Sequence, residues 1–322
     1  MASYALRRFL LIIPTLFIVT AVLFVMVRML PSGVVDQIAQ GQEWTVQSIG
    51  AAEVNTDAIR HMLGLDVPFH IQYLRWIGGF FRGDLGKSMF SSQTLVGALR
   101  SKLPVTVELS VMALIFSLVS SVPLGIFSAI RQDTMLDYVG RTWSIAALSV
   151  PGFWIASLVM IYPAIWWGWS PPVEYIPLAK DPLGNLGQFL IPSLIMGLAG
   201  SGGTMRLTRT MTLEVLRQDY IRTAWAKGLR ERVVVLRHGM KNTLIPVITI
   251  VGGMIPGLLG GSVIMEQIFA LPGMGRYMLD AINTRDYNII SGWNIVMAAF
   301  VMIFIILTDL AYAYVDPRIR YR

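Results

Sequence analysis

Six long apolar runs leave this chain few folds to choose from: Phe9–Met29, Pro104–Ile130, Trp143–Gly168, Phe189–Leu207, Leu244–Ile268 and Trp293–Val315. A helix that crosses about 30 Å of hydrocarbon needs roughly 20 apolar residues. Inside lipid, every backbone polar group must be satisfied within the span itself. The runs therefore predict an all-α, polytopic membrane protein with six transmembrane helices. Composition agrees, since 55% of the 322 residues are hydrophobic and only 14% are charged. The first run is too long for the apolar region of a signal peptide, and no A-x-A site follows it. It is expected to stay as an anchor.

Charge sets the orientation. Arg7 and Arg8 precede the first run, and Arg318, Arg320 and Arg322 follow the last. The segment from Arg206 to Lys241 holds nine basic and three acidic residues. Cytoplasmic loops carry such an excess of Lys and Arg. Both termini and this segment are therefore expected inside, and Pro31–Leu103 outside. The chain divides into a cytoplasmic N-terminus with the first helix (1–30), an extracytoplasmic helical loop (31–103), a transmembrane core (104–315) and a cytoplasmic tail (316–322). The net charge of +7 is explained by this asymmetry and does not call for nucleic acid.

The outer loop has its own helical pattern. Asn55, Thr56 and Asp57 read as a helix start, with Ile59, Met62 and Leu63 on one face and Gly64 as the stop. After Pro68, the residues Phe69, Tyr73, Trp76, Ile77 and Phe80 recur at helical spacing up to Gly83. A third short helix is expected from Leu95 to Lys102. Together these would cap the bundle, with Tyr73, Trp76 and Phe80 as candidates for docking an external partner.

The inner loop carries a basic, amphipathic stretch. Leu213, Leu216, Tyr220 and Ala224 lie at helical spacing, and Arg217, Arg222, Lys227 and Arg230 fall largely between them. Gly228 is a natural helix stop. A short helix from Tyr220 to Leu229 would suit docking to a soluble partner. Its candidate contacts are Tyr220, Arg222, Thr223, Ala224, Trp225, Lys227 and Gly228.

Signals for chemistry are weak. The chain has no cysteine, and His61, His70 and His238 are scattered, so no metal or thiol site is expected. The string G-D-L-G-K-S at Gly83–Ser88 lacks the first glycine of a phosphate loop, because Phe81 stands there. No nucleophile–base set stands out. Glu108 and Asp309 fall within apolar runs, where acids are functional candidates, but near the ends, where structural pairing or hydration accounts for them. Pro14, Pro123, Pro151, Pro192 and Pro256, with Gly252, Gly253, Gly257, Gly260 and Gly261, would permit close helix packing and bending. A secondary transporter or an intramembrane enzyme would need relay charges or a reactive set that these residues do not supply.

Several longer motifs are more specific. The outer loop carries G-L-D-V-P-F-H-I-Q-Y-L-R-W at Gly64–Trp76, then G-D-L-G-K-S. The inner loop carries R-L-T-R-T-M at Arg206–Met211 and Y-I-R-T-A-W-A-K-G-L at Tyr220–Leu229. E-Q-I-F-A-L-P-G-M-G spans Glu266–Gly275, R-D-Y spans Arg285–Tyr287 and D-P-R-I-R-Y spans Asp316–Tyr321. In these the chain resembles the B-type permease subunits of dipeptide/oligopeptide ATP-binding-cassette importers, over nearly its whole length. The wider superfamily has Glu-Ala-Ala at its coupling segment, where Arg222, Thr223 and Ala224 stand here, with Gly228 and then Ile245-Pro246 downstream.

The resemblance implies the type I importer permease fold in a bacterial or archaeal inner membrane. It implies a heterodimer with a second permease chain, two ATPase subunits gripping short coupling helices, and an extracytoplasmic substrate-binding protein. ATP and Mg would be used by the ATPase subunits, and this chain would bind no cofactor. Peptides are the implied cargo; nickel complexes, glutathione, opines and oligosaccharides are carried by similar systems.

Overall fold

A computed structural model of the chain describes residues 2–29, 66–88, 90–172 and 174–315. The helix expected at Asn55–Gly64, the rest of the loop before Asp66 and the tail after Val315 lie outside the described residues. Among the described residues the regular structure is all helical, apart from one isolated bridge between Lys87 and Thr94.

The helices are α1 (Ala2–Met29), α2 (Phe69–Phe81), α3 (Leu95–Ile130), α4 (Met135–Ser149), α5 (Gly152–Trp167), α6 (Pro182–Leu216), α7 (Asp219–Ala226), α8 (Met240–Ile268), α9 (Met274–Asn283) and α10 (Tyr287–Val315). Among the described residues, four stretches are long and apolar enough to cross a membrane: Leu95–Ile130, Pro182–Leu216, Asn242–Ile268 and Tyr287–Thr308. The α4–α5 pair makes a fifth if counted as one span, and Ile13–Met26 of α1 is a shorter apolar stretch. The helical class is as expected, and four or five of the six expected spans meet the length test.

Two expected boundaries differ. The run Trp143–Gly168 is broken rather than straight, because α4 and α5 meet at 84°. Pro151 disfavours helical geometry for its predecessor, and Val150 sits at φ −102°, ψ 119°. The helix restarts at Gly152. Conversely, Leu95–Lys102 is no separate helix, since α3 runs on through Pro104 and Pro123. A membrane helix can absorb a proline where neighbours re-satisfy the freed carbonyl.

The described residues form two compact units, one built mainly of residues 102–276 and 303–315, the other of 6–29, 66–101 and 277–302. In the first, α3, α5, α6 and α8 share an apolar core around Val105, Leu109, Ala156, Phe189, Met196, Leu258 and Phe269. Helix α6 has 35 residues, a length of roughly 50 Å at 1.5 Å per residue. That exceeds the hydrocarbon thickness of about 30 Å. Asp181 caps its start, accepting from the backbone N–H of Leu183 and Gly184.

Of the α8 glycines expected to pack against neighbours, Gly252 abuts Thr308, whereas Gly253, Gly257, Gly260 and Gly261 face open space among the described residues. Glu108 lies beside Asn185 and Tyr175, which are neutral hydrogen-bonding side chains. The side chain of Asp309 lies outside the described residues.

In the second unit, α2 lies along α1. Tyr73 packs edge-on to Phe17 and Phe24, with ring centroids 5.7 and 5.5 Å away. Trp76 sits 5.5 Å from Phe24, and the hydroxyls of Tyr73 and Thr20 are 2.9 Å apart.

Candidate coupling and docking sites

Helix α7 follows α6 after a two-residue corner at Arg217 and Gln218, where Gln218 turns extended (φ −70°, ψ 149°). It ends at Ala226, earlier than Leu229. Lys227 leaves helical geometry, and Gly228 takes φ +71°, a conformation that favours glycine. The backbone N–H of Gly228 donates to the Trp225 carbonyl at 2.9 Å, which closes the turn.

The inward face of α7 is Ile221 and Ala224, 0% and 6% exposed, packed on Val234 with Leu216 alongside. Tyr220, Arg222, Thr223, Trp225, Lys227 and Gly228 point outward and are exposed. Ala224 is thus a correction: it was expected on a partner-facing surface and instead backs the helix onto its own chain. Ile221 was missed, although Ile221 and Ala224 are themselves three residues apart and mark a stripe. The Tyr220 hydroxyl accepts from Asn242 Nδ2 at 2.7 Å. Arg222 and Asp219 form a 3.5 Å pair that is almost fully exposed, and such pairs add little.

Beyond α7 comes the turn Glu231–Val233, then a π-helical segment, Val234–Gly239, leading into α8. π-Helical turns interrupt the regular ladder and often accompany functional sites. Arg131, at the end of α3, holds Glu231 at 3.0 Å.

A buried ionic cluster near the C-terminal part of α6 was also missed. Asp137 in α4 has a fully buried side chain bonded by Arg209 of α6, Arg141 of α4 and Ser128 of α3. Arg209 belongs to the R-L-T-R-T-M motif, but Asp137 lies between spans, where a lone acid reads as solvated.

Tyr73, Trp76 and Phe80, expected as outer docking residues, are half-buried. Tyr73 and Trp76 face α1, and Trp76 and Phe80 help line a cavity of about 340 Å³ with Arg75, Asp84, Lys87 and Asn288. The apolar residues that α2 exposes are Phe69, Leu74 and Phe81. The correction has a physical cause: aromatic rings bury large areas and pair edge to face, so the aromatic stripe met the aromatic side of α1.

Three further motifs, G-D-L-G-K-S, R-D-Y and E-Q-I-F-A-L-P-G-M-G, fold as clasps, and D-P-R-I-R-Y lies outside the described residues. Ser88 donates to Asp286 at 2.5 Å and accepts from the backbone N–H of Phe90 and Ser91. Asn288 donates to the Lys87 carbonyl. G-D-L-G-K-S and R-D-Y are thus two halves of one loop contact. Burial, and then the nearby Asp286 carboxylate, raise the Tyr277 phenol above its ordinary value, so it stays protonated. Glu266 accepts from Thr106 at 2.6 Å and from the Arg276 N–H at 2.8 Å. A Cβ at Gly273 would collide with that carboxylate, which is why E-Q-I-F-A-L-P-G-M-G needs glycine there.

The described chain thus contains apolar spans, a short surface helix wired to two of them, and tightly clasped loops. Residues 121–321 match the family described as "Binding-protein-dependent transport system inner membrane component". Residues 1–110 match its N-terminal counterpart. The chain belongs to this family.

Relatives of the membrane component include a putative peptide transport system permease protein of Brucella abortus (strain 2308), 35% identical over 321 residues and covering 100% of both chains. The oligopeptide transport system permease protein AppB of Bacillus subtilis (strain 168) is 35% identical over 324 residues, again with 100% of both chains. The dipeptide transport system permease protein DppB of Alkalihalophilus pseudofirmus is 35% identical over 342 residues, with 100% of both. A crystal structure of an amino acid ABC transporter with histidines aligns with a TM-score of 0.48 at 14% identity, covering 69% of this chain and 94% of that one. Family and apolar helices together make the membrane component a multi-pass inner-membrane protein.

Proposed function

We propose that this chain is the permease subunit of an ATP-driven peptide importer. With a second, related permease chain it forms the path for di- and oligopeptides delivered by an extracytoplasmic binding protein. Two ATPase subunits dock on the cytoplasmic side and use ATP and Mg; this chain binds neither and has no catalytic site. The full-length match to peptide transport permeases carries the reading of the cargo.

Helix α7 is the docking element on the cytoplasmic side. Trp225 and Tyr220 are its aromatic anchors, the residue types that dominate interface energies. Thr223 and Gly228 let the partner's surface come close, and Ala224 backs the helix from inside. Arg222 and Lys227 pair with acids at the rim, where exposed pairs contribute about 0–1 kcal/mol. Closure of the ATPases moves α7, which pulls on α6 directly and on α8 through the π-helical segment, and the spans swing from inward-open to outward-open.

Uptake by the assembled transporter in vesicles tests the cargo. ATP-dependent accumulation of di- or oligopeptides is expected. Accumulation of a nickel complex, glutathione, an opine or an oligosaccharide, with none of peptides, would overturn it. Topology is tested separately in this cysteine-free chain. Single cysteines at Asp84 and Gln218 are expected to label from opposite sides of the membrane, and labelling from one side would sink the orientation.

A further inference from the structure

We propose that Asp137 is a positioning residue for energy coupling: through Arg209 it makes α6 and the α4–α5 pair move as one body when α7 is displaced. The inference rests on the reading of α7 as the helix that ATPases move.

The geometry is that of a joint. Arg209 reaches Asp137 with both arms of its guanidinium, Nε to Oδ1 at 2.7 Å and Nη2 to Oδ2 at 2.8 Å. A forked pair fixes direction as well as distance, which a lysine ammonium does not. Ser128, near the end of α3, donates to the same carboxylate, and so does the backbone N–H of Asp133 at 3.0 Å. One carboxylate therefore gathers the end of α3, the start of α4 and the shaft of α6. Arg209 stands seven residues before the last residue of α6, about 10 Å along a helix, so a push from α7 reaches it within two turns.

The next turns of α4 and α6 are also locked together. Ser144 donates to the Gly202 carbonyl at 2.7 Å, and the Trp143 indole donates to Ser201 at 3.1 Å. At Gly202 an added Cβ would collide with the Ser144 backbone carbonyl. The route from α7 to α8 is different, because it passes through the π-helical segment Val234–Gly239. Displacement of α7 is thus delivered to α6 and on to α4 through these bonds, and to α8 through the π-helical segment on which α7 packs.

A second arginine supplies the control. Arg141 also grips Asp137, at 2.7 Å, but from the same helix four residues away. Its other partner is Asp133, in the turn just before α4, at 3.3 Å, so it satisfies the charge without reaching α6. If Asp137 merely needs its charge balanced, Arg141 and Arg209 matter alike; if it is a joint, only Arg209 does.

The test compares Arg209→Lys with Arg141→Gln in the complete transporter with its ATPases and binding protein. The readouts are peptide taken up per ATP hydrolysed and, independently of cargo, stimulation of hydrolysis by the binding protein. Arg209→Lys is expected to assemble and hydrolyse ATP while uptake per ATP and stimulation fall by about tenfold, a common size for site-to-site coupling. Arg141→Gln is expected to stay within about twofold of the parent, because the forked Arg209 pair still balances the buried carboxylate. Asp137→Asn is expected to follow Arg209→Lys. Equal losses in the two arginine variants, no loss in Arg209→Lys, or failure of Arg209→Lys to assemble would each overturn the joint. A parent transporter that moves no peptide breaks the cargo reading instead, and the stimulation ratios still decide this one.

Discussion

Helix α7 and helix α2 are both short, amphipathic and rich in aromatic residues, yet they turn opposite kinds of side chain inward. Helix α7 buries the aliphatic pair Ile221 and Ala224 and exposes Tyr220 and Trp225. Helix α2 lays Tyr73 and Trp76 on the phenyl rings of α1 and exposes Phe69, Leu74 and Phe81. The surface underneath decides. Under α7 are Val234 and Leu216, against which a small residue allows close approach. Under α2 are Phe17 and Phe24, which favour edge-to-face partners. An aromatic stripe therefore marks a partner-facing surface only where the chain itself leaves it uncovered.

Four substitutions test this contrast. Ile221→Asp has the largest expected effect, because it puts an unpaired charge at a fully buried position, at a cost of about 4 kcal/mol or more. The segment around α7 should detach from the body, and limited trypsin digestion should cut at Arg222 and Lys227. Protection equal to the parent would mean that α7 is not held through Ile221.

Trp76→Ala comes next. Truncating a core tryptophan costs about 3–5 kcal/mol, and this one is half-buried, so about 2–3 kcal/mol is expected as a lower melting temperature in detergent. Binding of the ATPase subunits should be unchanged. Unaltered melting would show that α2 does not rest on α1 through this ring.

Trp225→Ala should show the mirror image. Its ring is 47% exposed, so thermal stability should move by no more than about 0.5 kcal/mol. Affinity for the ATPase subunits should drop by about 2 kcal/mol, the size of an interface hot spot, and co-purification should fall accordingly. Full retention of the ATPases would remove Trp225 from the contact. Phe81→Ser is the smallest. Its ring is 82% exposed, and stability should change by less than about 0.5 kcal/mol. A larger loss, read as melting temperature, would place a covering surface on α2.

Much of this architecture was legible in the residues. Span length and apolarity predicted the helical class, and Gly228 marked the end of the α7 segment, although the helix itself stops at Ala226. Pro151 carried the information for the bend between α4 and α5, but the apolar run on both sides masked it. The face of each amphipathic helix was not legible. Periodicity shows which residues share a side, and two adjacent stripes on α7, Tyr220 with Ala224 and Ile221 with Ala224, fit it about equally well.

Local geometry and transfer from water write some features into residue order alone: helices where apolar runs are long, the glycine stop at Gly228, and the motifs of a transport family. Tertiary structure decided the features that depend on residues far apart in the chain. Ser88 meets Asp286 across 198 positions and Arg209 meets Asp137 across 72. No local rule reports that an acid between two spans will be buried under a guanidinium. Burying a charge is costly unless a partner arrives to pair it, and only the packing of α3, α4 and α6 brings that partner to Asp137.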